Sequence, residues 1–440
     1  MDKLSLYILT FNCARNPVDV DLFAAHFFHA LPHTVTSAPE LIALSLQELA
    51  PIAYAFLGGS YLTPYFTSFR QVVDRAAASR WEDAQYVTVV EDHVGMTGLM
   101  VFARSDVVWR ITSVQTARVG LGLQQMGNKG AVGARLRWSS ESGTVPLTFV
   151  GAHLAPAEDA VERRNEDWRG IVERLVFSTT SHEEDSERAS LLGSSTTTGD
   201  GDRDGDGEGE GEGEGVFTAG YLFLAGDLNY RTSNTMPQPA DFGRFPLLDA
   251  DASSPLHYSR LLRDDQLTRE REKSRCFHGL SEAPIAFPPT YKYKLGACNP
   301  RQWKFVLSRW PSWCDRILYR DSSSTAKVTP YRYDVLPLFP TSDHRAVALA
   351  AAVALRTVQA GPSDSESAPA TDVQQPQQQP AAPFPIDQNW KRKRVEARRK
   401  ELVVGGLAYL GLTWEGRRIL VGMVLGGLGA WFVLRSMLSL

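Results

Sequence analysis

The segment Arg309-Trp-Pro-Ser-Trp-Cys-Asp-Arg-Ile-Leu-Tyr319 places one acidic residue, Asp315, among aromatic and aliphatic neighbours. Three other polar motifs follow short apolar runs elsewhere in the chain: Leu46-Gln-Glu48, Leu224-Ala-Gly-Asp-Leu-Asn-Tyr230 and Ser342-Asp-His344. Together the four motifs offer carboxylates, an amide and an imidazole at predicted strand ends. This combination predicts a phosphoesterase site with a metal ion, a water activator and a group that stabilises the leaving group.

Apolar runs of strand length recur along the first 355 residues, and there is room for helices between them. The runs are Leu4–Phe11, Leu41–Leu46, Gly98–Phe102, Ala131–Leu136, Leu147–Gly151, Tyr221–Ala225, Ile317–Tyr319 and Ala346–Leu355. Most of them are too short for helices, and they are typical of core strands. The segments Asp19–Leu31 and Glu158–Phe177 have the length and apolar spacing of helices. This alternation predicts a layered α/β architecture.

Length and composition suit one catalytic domain, residues 1–355, followed by a tail. The chain has 440 residues, of which 43% are hydrophobic, and a formal net charge of −4. Outside one acidic and one basic segment its charge is near zero, which argues against an enzyme that tracks duplex nucleic acid through many phosphate contacts. The cysteines lack metal-ligand spacing and disulfide density, as expected in a reducing compartment; they are Cys13, Cys276, Cys298 and Cys314. The apolar start Leu4–Phe11 has no cleavage site and predicts a strand, not a secretory signal.

Two segments of biased composition accompany this domain. Residues 178–215 contain twelve acidic and two basic residues and end in a Gly-Glu repeat. Such a segment cannot bury enough apolar surface to order itself, so we expect a disordered acidic insertion, which costs little in loop closure. Residues 356–389 are rich in Gln, Pro, Ser and Ala and predict a disordered linker.

The C-terminal segment predicts attachment to a membrane. Residues 390–418 form a basic and amphipathic juxtamembrane segment, and residues 419–440 a hydrophobic tail anchor. The uncharged run Ile419–Leu434 spans only about 24 Å as a helix, against a hydrocarbon core of ~30 Å, and extension to Leu440 with Arg435 snorkelling closes the gap. The basic run predicts that this side stays cytosolic and attracts anionic lipid. The alternative is a glycine-rich helix packed on the globular core.

The acidic motifs suit metal binding and proton transfer. Glu48 at a strand end is the hard oxygen ligand that Mg²⁺ prefers, although a solvated strand end has the same sequence. Asp227 and Asn229 fall on one face of an extended segment, where one can accept a proton from water and the other can hold a phosphate oxygen. The alternative for this pair is a Gly-Asp turn closed by an Asx hydrogen bond.

Asp315 requires a partner, because an unpaired charge in apolar surroundings is costly. His344 is a suitable partner, although a lone histidine before an apolar run can also cap a strand or helix. A pair between them would fix the imidazole tautomer and raise the imidazole pKa. His344 could then stabilise or protonate a phosphate oxygen.

Basic residues recur in polar loops and predict contacts with additional phosphates. Lys129 lies between Gly127 and Gly130, which permit close approach of the backbone to an anion. The other basic residues of this kind are Lys292, Lys304 and Arg309. A glycine-flanked lysine also occurs in ordinary surface turns, which is the alternative for Lys129.

Eight motifs occur in an order that is typical of one enzyme family. They are Thr10-Phe-Asn12, Gln47-Glu48, Gly127-Asn-Lys-Gly130, Gly151-Ala-His-Leu154, Gly226-Asp-Leu-Asn-Tyr-Arg231, Pro289-Thr-Tyr-Lys-Tyr293, Pro311-Ser-Trp-Cys-Asp-Arg316 and Ser342-Asp-His-Arg345. With them the chain resembles the inositol polyphosphate 5-phosphatases, a branch of the DNase I-like endonuclease/exonuclease/phosphatase superfamily, over roughly Leu4 to Leu355. The Asn-Lys-Gly, Tyr-Lys-Tyr and Trp-Cys-Asp-Arg elements distinguish this branch from the nucleases.

The resemblance implies a four-layer α/β/β/α sandwich and Mg²⁺-dependent hydrolysis of the 5-phosphate, preferentially on phosphatidylinositol 4,5-bisphosphate. By position, Asn12, Glu48 and Asp343 would hold Mg²⁺. The tail is similar to that of short fungal-type 5-phosphatases with a C-terminal anchor and no additional lipid-binding domain. That likeness implies an endoplasmic reticulum membrane protein whose catalytic domain faces the cytosol. The near-neutral core predicts no nucleic acid ligand, and no obligate protein partner is inferred.

The same resemblance assigns the remaining roles. Asp227 would activate water, Asn229 and His153 would contact phosphate oxygens, and Asp315 would orient His344. The neighbouring 4-phosphate or the scissile phosphate would be bound by Lys129, Tyr291, Lys292 and Arg309.

Two alternative functions differ in chemistry from this prediction. One is another DNase I-like phosphodiesterase, of the nuclease or sphingomyelinase type; the near-neutral core and the 5-phosphatase loops argue against it. The other is a catalytically silent phosphoinositide-binding tether, which the presence of every expected catalytic side chain disfavours. The sequence leaves open whether soluble inositol phosphates or the 3,4,5-trisphosphate lipid are also cleaved.

Overall fold

A computed structural model describes residues 3–178, 213–296, 299, 303–355 and 381–438. Within these residues two six-stranded sheets are formed. The first sheet has the spatial order β11 (Val328–Val335), β12 (Val347–Ala354), β1 (Lys3–Asn12), β2 (Leu41–Gln47), β4 (Thr97–Arg104) and β3 (Tyr86–Val94). The second sheet has the order β5 (Ile111–Gly120), β6 (Gly130–Ser140), β7 (Gly143–His153), β8 (Tyr221–Asp227), β10 (Asp315–Arg320) and β9 (Ser281–Glu282). Each sheet has one parallel pair, β1 with β2 and β7 with β8, and its other pairs are antiparallel.

The two sheets stack face to face through apolar side chains, both aliphatic and aromatic. Inner-face residues such as Ile8, Leu99, Phe149 and Ile317 belong to one buried cluster between them. Ser45 crosses this interface, because its Oγ donates to the main-chain oxygen of Ala225 at 2.8 Å. Strands β2 and β8 are buried along their whole length, since both of their faces are covered, and therefore appear in the sequence as continuous apolar runs.

Helices cover the outer faces of both sheets. On the first sheet α1 (Val20–His26) and α3 (Thr63–Arg80) contribute Phe23, Phe66 and Phe69 to a second buried cluster, and α2 (Ile52–Leu57) precedes α3. On the second sheet Trp168 of α4 (Val161–Arg174) and Leu267 of α6 (Gln266–Glu272) belong to a third cluster, whereas Leu261 of α5 (Tyr258–Leu262) belongs to the cluster between the sheets. The predicted four-layer α/β/β/α sandwich is confirmed.

All eight predicted strands are present, and both predicted helices are present in shortened form. Asp19 caps the N-terminus of α1, because its side chain accepts a hydrogen bond from the main-chain N–H of Leu22 at 3.0 Å. The predicted helical segment also begins at Asp19. Strands β3, β5, β9 and β11 were not predicted. Strand β9 has only two residues. The other three mix polar and apolar residues and are partly exposed, so neither a continuous apolar run nor a strict alternation marks them.

The biased segments are described only at their ends. Residues 179–212 of the predicted insertion and residues 356–380 of the predicted linker lie outside the described residues. At the end of the insertion, Glu214 exchanges two main-chain hydrogen bonds with Phe177 and pairs with Arg135 at 2.8 Å. At the end of the linker, Phe384 packs on the third cluster and the N–H of Asp387 donates to Glu173 O at 2.9 Å. Phe384 and Asp387 therefore contact the catalytic domain, and the bounds of the linker stay a prediction.

Two long helices follow, α7 (Trp390–Leu412) and α8 (Trp414–Leu438). Helix α7 packs against α2, whereas α8 is long and apolar enough to cross a membrane and has no buried residue in its most apolar window. The alternative of a glycine-rich helix packed on the core does not match this placement. Apolar side chains such as Val424, Leu425 and Phe432 are all exposed.

Candidate active site

The strand registers bring the predicted site residues to one edge of the sandwich. Asp227 at the end of β8 is paired with His153 at the end of parallel β7 and with Asp315 at the start of antiparallel β10. In the first sheet Asn12 ends β1 beside Gln47, which ends β2. The carboxyl ends of both parallel pairs therefore meet at the same edge of the two stacked sheets.

Asp227 is a buried acceptor at the centre of this edge. Its Oδ1 accepts from the N–H of Asn229 at 3.1 Å, and its Oδ2 accepts from Asn12 Nδ2 at 2.9 Å across the two sheets. His153 Nε2 lies 3.3 Å from the same Oδ2. Burial acts to raise the pKa of Asp227, but the charge of His344 and the hydrogen bond from His153 outweigh it and lower that pKa. Asp227 is therefore an ionised carboxylate in a fixed position.

His344 and Asp315 form the predicted pair. His344 Nδ1 lies 2.9 Å from Asp315 Oδ2, and Thr290 Oγ1 donates to the same oxygen at 2.7 Å. His344 Nε2 is 4.0 Å from Asp227 Oδ2. Burial opposes the charged imidazole, yet Asp315 and Asp227 together raise the pKa of His344 to about 9. The imidazolium can therefore present an Nε2–H donor beside Asp227 near neutral pH.

The loop that carries His344 is attached to both sheets. Ser342 Oγ donates to Asn12 O at 2.6 Å and accepts from the N–H of His344 at 3.0 Å. The main chain of Tyr291 pairs with that of His344, and their rings lie 4.5 Å apart, centre to centre. Ser342 and Tyr291 thus fix the main chain of His344, and the Tyr291 ring packs against the imidazole.

Lys129 and Glu48 lie at the same edge of the sandwich as Asp227 and His153. Lys129 Nζ contacts His153 Nε2, and burial lowers the pKa of Lys129, against the raising effects of Asp227 and Glu48. Glu48 adopts a positive φ of 44° and its Oε2 lies 2.9 Å from Arg15 Nε. Main-chain hydrogen bonds from Cys13 N to Gln47 O and from Arg15 N to Glu48 O join the two loops.

A family model matches residues 9–350 of this chain, and its description is Endonuclease/Exonuclease/phosphatase family 2. The chain belongs to this endonuclease/exonuclease/phosphatase family. The match covers part of β1 and part of β12, all of the other ten strands, and every residue of the edge described above. Membership also agrees with the resemblance inferred from the eight motifs.

Curated relatives specify the branch of the family that the chain resembles. It is 29% identical over 309 residues to the type I inositol polyphosphate 5-phosphatase 13 of Arabidopsis thaliana, which covers 66% of this chain and 25% of the relative. It is 30% identical over 285 residues to the phosphatidylinositol 3,4,5-trisphosphate 5-phosphatase 2 of Homo sapiens, covering 62% and 19%. The chain thus spans a quarter or less of the length of these relatives. The predicted resemblance to 5-phosphatases is confirmed.

A solved structure shares the fold. The inositol polyphosphate 5-phosphatase domain of SpSynaptojanin, crystallised in complex with inositol (1,4)-bisphosphate and calcium ion, superposes with a TM-score of 0.57 at 23% identity. The superposition covers 80% of this chain and 84% of that domain. It supports the two-sheet sandwich of this family member.

The donor chemistry of the edge fits a hard divalent cation. Asn12 Oδ1 accepts one hydrogen bond, from Ala14 N at 3.0 Å, which leaves its second lone pair, and Glu48 offers a partly exposed carboxylate. A geometric alternative is the buried group Asp227, Asp315 and His344, whose ligand atoms lie within 4.8 Å of one another. In that group the imidazole Nδ1 is already paired with Asp315 Oδ2 at 2.9 Å, which leaves only Nε2 of His344 for another ligand.

Three predicted residues have other partners in the structure. Asp343 Oδ2 lies 2.7 Å from Lys292 Nζ, so this carboxylate neutralises a lysine, and its role as a metal ligand stays a prediction. Arg309 Nε lies 3.6 Å from Glu158 Oε1, and Glu158 is not among the predicted site residues. The contact of Arg309 with a phosphate stays a prediction. Asn229 Nδ2 donates to Leu154 O at 3.1 Å, so its contact with a phosphate oxygen also stays a prediction.

Several site residues were absent from the predicted set. Arg231 is 2% exposed, donates to Asn229 Oδ1 and lies 4.3 Å from the centre of the Tyr291 ring. Its signal in the sequence is its place in Gly226-Asp-Leu-Asn-Tyr-Arg231, a motif in which only the aspartate and the asparagine were predicted to act. Thr290 and Ser342 likewise lie inside motifs of the family. Their hydroxyls donate to Asp315 and Asn12, which are distant in sequence, so these contacts become visible only in the folded structure.

Proposed function

We propose that this protein is a Mg²⁺-dependent phosphomonoesterase that removes the 5-phosphate of phosphatidylinositol 4,5-bisphosphate at a cytosolic membrane surface. The observation that carries the proposal is the position of Asp227, which contacts Asn12 and His153 and lies 4.0 Å from the imidazole of the His344–Asp315 pair. A fixed carboxylate beside an imidazolium is the arrangement that orients water for attack and stabilises charge on a phosphoryl oxygen. Its relatives named as 5-phosphatases support the same chemistry.

The roles of the side chains follow from their protonation states. Asp227 is ionised and would orient the attacking water at Oδ2 and accept its proton as the new P–O bond forms. His344 would donate from Nε2 to a phosphate oxygen, and Asp315 would keep the ring in that orientation. Both groups are buried, so their positions are set before substrate arrives.

Cationic side chains around the edge would bind phosphate. Lys129 lies against His153, and Lys292 lies 5.4 Å from the centre of the Tyr291 ring, which itself packs on His344. Phosphates of one inositol ring would thus find one lysine beside His153 and another beside Tyr291. Bound Mg²⁺, held by Glu48 and Asn12, would supply a Lewis acid for the phosphoryl oxygen.

The exposed helix α8 supports action at a membrane. Its 25 residues correspond to about 37 Å of helix, enough for a ~30 Å hydrocarbon core. Arg435 lies 5.2 Å from the centre of the Trp431 ring near its end, a pairing that suits the membrane interface. We propose that α8 anchors the protein in the endoplasmic reticulum membrane with the catalytic domain in the cytosol. Deletion of residues 414–440 should abolish co-sedimentation with neutral phosphatidylcholine vesicles, and retained sedimentation would contradict the anchor.

The test of activity is phosphate release by the full chain in detergent from mixed micelles containing phosphatidylinositol 4,5-bisphosphate. Release should require Mg²⁺, yield phosphatidylinositol 4-phosphate, and be lost in Asp227→Asn. Asp106→Asn is the matched control, because Asp106 is an exposed carboxylate paired with Arg104. No release by the wild-type protein would refute the proposal. Cleavage of abasic DNA or sphingomyelin instead would move it to another branch of the family.

A further inference from the structure

Helix α7 is fixed on the catalytic domain at the C-terminal end of α2. Arg398 donates to two carbonyls there, to Phe56 O at 2.6 Å and to Leu57 O at 3.1 Å. These are among the last carbonyls of a helix, which lack partners inside it. Gly405, two turns further along α7, lies so close that a Cβ at its position would be 2.8 Å from Phe56 Cβ. The basic segment predicted as a juxtamembrane connection is therefore a docked element of the domain.

Glu401 extends this docking to a loop of the active site. Its side chain is buried, with 4% exposure, and its Oε1 accepts from the main-chain N–H of Gly127 at 2.7 Å. Its Oε2 lies 3.3 Å from Arg398 Nη1. The carboxylate thus joins the α2 contact to the Gly127–Gly130 loop, 274 residues away in the sequence.

Gly127 is a point of close packing between Glu401 and the site. A Cβ there would lie 2.7 Å from Gly95 N, and Gly127 O accepts from the N–H of Met96 at 3.0 Å. Met96 O in turn accepts from the N–H of Leu49 at 3.2 Å, directly after Glu48. Lys129, which contacts His153, follows Gly127 by two residues. One peptide therefore connects Glu401 to the loop of the phosphate-binding lysine and to the segment beside Glu48.

We propose that Glu401 is a positioning residue that holds the Gly127–Gly130 loop, so that α7 completes the phosphate-binding wall of the active site. This role rests on the proposed function, because that function gives Lys129 a substrate phosphate to bind. Glu401 itself touches no reacting group. Without its carboxylate the N–H of Gly127 would face buried surface with no acceptor, and an unsatisfied buried donor is costly enough to displace a loop.

The kinetic test uses the full chain in detergent micelles with phosphatidylinositol 4,5-bisphosphate. Glu401→Ala should raise KM about 10-fold with a smaller change in kcat, because a displaced Lys129 weakens phosphate binding. Glu401→Gln keeps an acceptor oxygen for Gly127 and should remain within about 3-fold of the wild type. Glu396→Ala, an exposed carboxylate on the same helix, should leave KM unchanged. Equal losses in Glu401→Ala and Glu401→Gln would overturn the proposal.

A double-variant cycle tests whether Glu401 acts through Lys129. In a Lys129→Met background, Glu401→Ala should add little further loss of kcat/KM, because the group that it positions is absent. Losses that multiply would overturn the proposal, since they would show that Glu401 acts independently of the lysine.

Amide hydrogen exchange separates this proposal from the proposed function. The peptide containing Gly127 should exchange faster in Glu401→Ala than in Glu401→Gln, whether or not the enzyme hydrolyses phosphoinositides. If the wild-type protein releases no phosphate, the proposed function is refuted. Faster exchange in Glu401→Ala would even then support the role of Glu401 in holding the loop. Unchanged exchange would overturn the role of Glu401 whatever the activity.

Discussion

His344 Nδ1 lies 2.9 Å from Asp315 Oδ2, and both side chains are buried. Thr290 donates to the same carboxylate oxygen, so Asp315 has one oxygen that accepts from two groups. Burial raises the pKa of Asp315, whereas the charge of His344 opposes that rise. The pair is stable because each member supplies what the other lacks: a negative charge for the imidazolium and a donor for the carboxylate.

Asp315→Asn should lower kcat for phosphate release by about 100-fold or more, because the imidazole loses the charge that favours its protonated form. KM should change less, since no substrate contact is removed. Steady-state kinetics with Mg²⁺ on phosphoinositide micelles measure both constants. Asp264→Asn, at a partly exposed carboxylate near Arg244, is the matched control. Activity near the wild-type level in Asp315→Asn would show that the pair is structural.

Lys129→Met should weaken binding of a phosphorylated inositol by about 10-fold or more, because a charge-assisted contact to phosphate is lost while the apolar stem is kept. Binding of inositol 1,4,5-trisphosphate to the Asp227→Asn protein, measured by calorimetry, reports this without turnover. Lys327→Met, at an exposed position, is the control. Equal affinity with and without Lys129 would remove the lysine from the site.

The Asp315–His344 pair was predictable because an acidic residue in apolar sequence needs a partner and few candidates exist. The core strands were predictable for a related reason, since continuous apolar runs such as that of β8 mark burial on both faces. The partners of Asp343 and Gly127 were not predictable. Lys292 reaches Asp343 because two loops that are distant in sequence meet at the edge of the sandwich, and Glu401 reaches Gly127 because α7 docks on the domain.

Gly405→Leu should undock α7, because even a Cβ at this position meets Phe56 Cβ at 2.8 Å. Overpacking of this kind costs about 1–3 kcal/mol, and the melting temperature should fall. Gly406→Leu is the matched control: no atom lies within 4 Å of a Cβ built there, and leucine favours a helix more than glycine does. Thermal unfolding in detergent, followed by tryptophan fluorescence, compares the two. Equal melting temperatures would mean that α7 does not contribute to the stability of the domain.

His93 lies under α7 and should make the protein sensitive to acid. Its Nδ1 is buried without a hydrogen-bond partner in the described chain, and its ring lies 6.5 Å from that of Phe66. Burial lowers the pKa of His93 to about 3, and Arg118 of β5 and Arg398 of α7 act in the same direction, while the neighbouring Asp92 is paired with Arg118 at 2.6 Å.

Because the unfolded chain takes up this proton near the ordinary histidine pKa of about 6.5, unfolding binds a proton at every pH between about 3 and 6.5. The free energy of unfolding should therefore fall with decreasing pH, by up to about 1.4 kcal/mol per pH unit from this residue. His93→Gln should show a shallower fall in melting temperature between about pH 7 and pH 5, whereas His33→Gln, at an exposed position, should follow the wild type. The same slope in all three proteins would show that His93 is protonated without cost in the folded state, and that α7 does not exclude solvent from it.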